Sequence, residues 1–177
     1  SGFQALVDAL AGDRDDQTIE EVVFDIHRRV QSHPDPLRWL EERREDFAFS
    51  LDAMPEHTPW GRLLLDDGRA LADYWAGELE MLGEELAFDP VLETNYGASL
   101  SATTAHLRAL SQAMGQGWDR AAELFPVPFP RVGAKKGADP ALKERAKALR
   151  DLCKKQVTRL GERFSVSAAG AMDDLRS

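Results

Sequence analysis

A single cysteine, Cys153, stands in 177 residues, which excludes any internal disulfide framework and fits a reducing, cytoplasmic setting. No run of residues approaches the roughly 20 consecutive apolar positions a membrane span requires. The opening SGFQALVDAL lacks a basic n-region and a cleavage-type sequence, so nothing in it reads as a secretory signal. Strict alternation of apolar and polar residues is missing throughout, and with it the mark of half-buried strands. The four histidines, His27, His33, His57 and His106, are scattered; no H-E-x-x-H occurs, and one cysteine cannot build a zinc site. GAKKGAD, the nearest approach to a phosphate-binding loop, lacks the G-x-x-x-x-G-K-[ST] spacing and the hydroxyl that would follow its lysine.

Helical signals fill what remains. Thr18 with Glu21 has capping-box spacing, followed by Ile19, Val22, Val23, Ile26 and Val30 on one face, and the helix must end before Pro34. Asp35 caps a short helix with Pro36 first and Trp39 and Leu40 turned inward. After the loop SLDAMPEHTP a long helix begins near Thr58, with a stripe of Trp60, Leu64, Leu71, Trp75, Leu79, Leu82 and Leu86 that Gly68 and Gly77 threaten to interrupt. Asp89-Pro90 restarts the pattern as Tyr96, Leu100, Thr103, Leu107, Leu110 and Met114. GQGWDRAAELF supplies a short helix and FPVPFPRVGAKKGADP a loop. Asp139-Pro140 opens a helix whose core stripe is Leu142, Ala146, Leu149, Cys153, Val157, Leu160 and Phe164, and Ser167 caps a last one. The expectation is one all-α domain over 1–177, an irregular bundle of about six to eight mostly antiparallel helices. Trp60, Trp75, Leu107, Leu110, Leu149 and Leu160 are expected in its core. Both ends read as those of a piece of a larger chain.

Charge is the least even property. Residues 126–164 hold 11 Lys or Arg against 4 Asp or Glu, whereas residues 1–125 hold 10 against 25, in a chain of formal charge −9. Such asymmetry points to a polyanion met by one face. Lys143, Lys147, Arg150 and Lys154 form a row about a quarter-turn from the core stripe, and Arg131, Lys135 and Lys136 precede them in the loop. A row of this kind can track phosphates. It is equally the pattern of a solvated face, or of cations paired with the acids of the N-terminal part. The carboxylates Asp13, Asp15 and Asp16, and Glu78, Glu84 and Glu85, lack any sign of the burial that acid–base work needs, and Cys153 lies in an apolar stripe where a thiol is inert. No catalytic or metal-binding set emerges.

Three stretches carry a resemblance. FQALVDALAGDRDDQTIEEVV, SHPDPLRWLEE and FPRVGAKKGADPALKERAKALRDLCKKQ resemble, in order and spacing, segments of the AddA subunit of the bacterial AddAB-type ATP-dependent helicase–nucleases, superfamily 1 machines of the UvrD/RecB-like kind. The likeness runs from Phe3 to Leu175. It implies the helical insertion, often called 1B, of the first RecA-like domain, which lies beside the duplex ahead of the fork. It further implies unwinding and resection of double-strand breaks for recombinational repair by the whole machine, with ATP and Mg acting elsewhere in it. The piece itself would carry no ATPase, helicase or nuclease site and no cofactor. Implied partners are a double-stranded DNA end, the second helicase–nuclease subunit and the remaining domains of the same polypeptide, with no membrane. A protein-only scaffolding module, touching that second subunit or the motor and nuclease domains, is the competing expectation.

Overall fold

The computed structural model describes residues 16–45 and 53–174. Asp13, Asp15 and the first part of the motif before Asp16 lie outside them, as do residues 46–52 of the loop and the end after Asp174. Among the described residues there are seven α-helices and no strand. The architecture is all-α, as the periodicity requires. These residues divide into two units, the larger being Met54–Ala171.

In the smaller unit, α1 (Asp16–Gln31) and α2 (Pro36–Glu45) are separated by the turn ahead of Pro36. Asp35 caps α2 as its position demands, its Oδ1 accepting from Arg38 N at 3.1 Å. Trp39 stacks on His33 with ring centroids 4.6 Å apart. Three readings need correction. α1 starts at Asp16, which leaves Thr18 inside the helix rather than at its cap. Ile26 and Leu40, assigned to inward faces, are exposed, as are Phe24 and Leu37. Helical spacing shows which residues share a face, but not whether anything covers it.

The larger unit begins with a 3-10 turn, Pro55–His57, and then α3 (Pro59–Leu86). Thr58 Oγ1 accepts from Gly61 N at 3.1 Å and caps it. Gly68 and Gly77 do not break this 28-residue helix. A Cβ at Gly68 would meet Met114 Sδ at 2.6 Å, so the end of that side chain packs into the space the glycine leaves. Three residues connect α3 to α4 (Pro90–Met114), so the two run antiparallel. The short α5 (Trp118–Ala122) follows, then an irregular loop, α6 (Pro140–Arg163) and the first residues of α7 (Ala168–Asp174), those from Met172 on being counted with the smaller unit.

The core lies between α3, α4 and α6. Trp75, Leu79, Leu82, Leu86, Leu92, Tyr96, Leu100, Leu107, Leu110, Met114, Cys153, Val157 and Leu160 are all buried in one cluster. Trp60 and Leu149, expected at the centre, pack against its edge and are half-buried. Two polar links fix the helices laterally: Trp75 Nε1 donates to Gln156 Oε1 at 3.0 Å, and Trp118 Nε1 to Val166 O at 3.0 Å. Asp119 Oδ1 accepts from Ala168 N at 2.7 Å, which orders the start of α7.

Candidate nucleic-acid interface

The basic helix α6 owes its position to two linked caps. Asp139 Oδ1 accepts from Leu142 N at 2.9 Å, the ordinary N-cap of α6. The backbone N of Asp139 in turn donates to Asp89 Oδ2 at 2.9 Å, while Asp89 Oδ1 caps α4 through Val91 N and Leu92 N. One carboxylate therefore joins the starts of two helices. These bonds hold its pKa below the ordinary value, the one from Asp139 contributing most.

Between α5 and α6 the loop has almost no backbone partners of its own, and α4 supplies them. Asn95 Nδ2 donates to Lys135 O and its Oδ1 accepts from Lys135 N, both at 3.0 Å. Ser99 Oγ donates to Pro130 O at 2.8 Å, and Thr103 Oγ1 lies 2.9 Å from Pro128 O. His106 Nε2 donates to Leu124 O at 2.6 Å. These four residues lie four, four and three apart, so they form a polar row along one side of α4 that grips successive points of the loop. Gly133 N adds a 2.7 Å bond to Asn95 O, and a Cβ at Gly133 would lie 2.4 Å from Asn95 Oδ1. Only glycine permits that approach.

On this scaffold the seven expected cations separate into two kinds. Arg131, Lys135, Lys136, Lys143, Lys147 and Lys154 have exposed side chains, and none of them makes an ion pair among the described residues. Arg150 departs from the exposed row. It is half-buried, its guanidinium donates to Pro130 O at 2.6 Å, and it lies over the Phe129 ring, 5.6 Å from the centroid. Arg150 thus ties the loop to α6 beside Arg131 and is spent on that task. The ion pairs of this unit use other cations: Arg145 with Glu85, Arg108 with Asp73 and Glu80, and Arg120 with Glu123. Asp151 and Glu162 share the surroundings of Lys154. Beyond Lys154 the row continues as Thr158, Gly161 and Ser165, which line an apolar cleft of about 420 Å³ with Phe125, Phe129 and Phe164.

Burial pushes the Cys153 thiol up to about 12 despite the neighbouring Arg150 charge. Among the described residues no three His, Cys, Asp or Glu side chains gather as metal ligands would. Nor is any described helix long and apolar enough to cross a membrane. The polar row Asn95, Ser99, Thr103 and His106 escaped the sequence reading, which took Thr103 as part of the apolar stripe. Its signal was present as four polar residues at helical spacing beside that stripe.

No family model matches the sequence. Individual relatives do. The AddA-type protein of the ATP-dependent helicase/nuclease of Alkaliphilus oremlandii is 30% identical over 177 residues, covering 98% of this chain and 14% of the relative. That of Heliobacterium modesticaldum is 31% identical over 174 residues, covering 92% of this chain and 12% of the relative. The chain matches a fragment of the AddA-type helicase/nuclease protein. Its counterpart in Clostridium botulinum agrees, at 29% over 163 residues and 89% of this chain. The chain spans about one-seventh of the length of these curated AddA-type proteins. The resemblance read from three motifs thus extends along nearly the whole sequence.

Proposed function

We propose that this chain is the DNA-contacting, 1B-like accessory domain of an ATP-dependent helicase–nuclease that unwinds and resects double-strand breaks. ATP and Mg would act in other parts of the enzyme. One observation carries the reading: six of the seven expected cations stand exposed without an ion pair among the described residues, three on α6 and three on a loop bound to α4 and to Arg150. Cations already paired with protein carboxylates would have little left to offer a phosphate. Unpaired ones release counterions from DNA when they bind it. Because the loop is tied at Lys135, Pro130 and Pro128, its cations are presented on a fixed backbone, and their ordering cost on binding is reduced. Nothing in the row addresses base edges, so recognition is of the backbone and indifferent to sequence.

The test compares duplex binding of the complete helicase–nuclease with that of its Lys143→Glu/Lys147→Glu/Lys154→Glu variant across a salt series. If about four cations neutralise phosphates, log affinity falls with log salt at a slope of about −3.6, and the triple variant flattens it to about −1 while ATP hydrolysis on single strands persists. Arg150 is left intact, because its removal would loosen the loop and confuse the two effects. A variant that engages duplex ends like the parent at every salt concentration would show that the row is merely solvated.

A further inference from the structure

Helix α3 carries two apolar faces, and only one of them is used. Its core face is centred on Ala72, Trp75, Leu79 and Leu86. Leu63, Tyr74 and Met81 lie roughly opposite, within about 20° of one another at 100° per residue, and Phe88 continues the line just past the helix end. These four are 61%, 56%, 58% and 91% exposed. Ala70 and Gly77 fill the gaps in the stripe, and a Cβ at Gly77 would meet nothing within 4 Å. A glycine in mid-helix is disfavoured relative to alanine, and no neighbour among the described residues occupies the notch it leaves. From Leu63 to Met81 the stripe runs about 27 Å.

Both edges of this stripe are acidic. Asp66 and Glu84 flank it on one side, Asp67, Glu78 and Glu85 on the other. Glu85 is paired with Arg145; the other four make no ion pair among the described residues. A surface helix of a globular protein ordinarily shows one apolar face and one polar face, and a second apolar face implies a second layer. The heptad spacing of Tyr74, Met81 and Phe88 suits a helix lying alongside. Acidic edges select the sign of its flanks. A second copy of this face would set acid against acid, so self-association is disfavoured.

We infer that the outer face of α3 is the docking surface for an amphipathic helix with Lys and Arg along its flanks, supplied by another part of the same helicase/nuclease polypeptide. The relatives this chain matches are about seven times as long, so most of a protein of that kind lies outside these residues and is tethered to them at high effective concentration. The inference does not depend on DNA contact by α6 and can fail separately from it.

The experiment places the photo-reactive residue p-benzoylphenylalanine at Met81, and separately at Leu63, in the full-length polypeptide, and maps cross-links by mass spectrometry after irradiation. Both positions should couple to one segment of the same polypeptide beyond these 177 residues, with apolar residues at three- and four-residue spacing flanked by Lys or Arg. Combining the label with Asp67→Lys, Glu78→Lys and Glu84→Lys should cut the yield about tenfold, a loss of about 1.4 kcal/mol in docking. The label at Arg69, on another side of the helix, should give no such product. Coupling to a second copy, to a different polypeptide, to residues 1–177 or to nothing would overturn the inference.

Discussion

Cys153 shows how much a single position can owe to its surroundings. It is fully buried, and burial raises its thiol from an ordinary 9.0 to about 12. A folded-state value above the unfolded one means that folding favours the protonated thiol. Its contribution to stability is therefore complete below about pH 8.5 and fades as pH rises toward 12. At neutral pH the side chain should resist thiol reagents. We expect labelling by a disulfide reagent to be slow in buffer and rapid in denaturant; fast labelling of the folded chain would place Cys153 outside the core. This position was legible in the sequence because it repeats an apolar stripe. Arg150 was not. At three and four residues from its lysine neighbours it looks equivalent to them, and only the arrival of Pro130 O and the Phe129 ring from a loop 20 residues away sets it apart.

Elements were readable to the extent that their signals are local. Asp35, Thr58, Asp89 and Asp139 each cap the helix that their place before a proline announces. What the sequence could not convey is that two of these caps touch. Asp89 grips the backbone of Asp139 across 50 residues, so α4 and α6 share one anchor. Since these bonds lower the Asp89 pKa, the ionised group stabilises the fold above the ordinary value of 3.8, and the contribution is lost as pH falls through the lowered one. Thermal unfolding followed between about pH 2 and 6 should show this component in the parent chain and lack it in Asp89→Ala. Identical acid profiles for the two would mean that the shared anchor is idle. The outer stripe of α3 was missed for a related reason: a sequence with two apolar faces yields the stronger one first.

For the molecule as a whole, periodicity supplied the class, whereas the pairing of acids with bases needed coordinates. The 25 acidic residues ahead of residue 126 had been candidates to neutralise the basic helix. Among the described residues Arg28, Arg38, Arg108, Arg120 and Arg145 take up six of them, while Arg131, Lys135, Lys136, Lys143, Lys147 and Lys154 make no ion pair. With no G-x-x-x-x-G-K-[ST] in the sequence, the chain by itself is expected neither to bind nor to hydrolyse ATP. Titration calorimetry should record no heat of binding, and phosphate release should stay at the buffer background. Turnover by the purified chain would require a nucleotide site of another kind.

The strap along α4 has a consequence for how such a sequence can drift. Asn95, Ser99, Thr103 and His106 hold the loop by its main-chain atoms, so around its exposed cations the path of the loop is encoded in the helix and not in the cations themselves. At the exposed positions Arg131, Ala134, Lys135 and Lys136, substitutions can accumulate without altering that trace, whereas Asn95 leaves no room at Gly133 and Phe125, Val127, Phe129 and Val132 pack in or against the core. The loop is free to exchange its cations, lose them or acquire others while every variant inherits the same presentation. A lineage could retune the surface one residue at a time, at little risk to the fold beneath it.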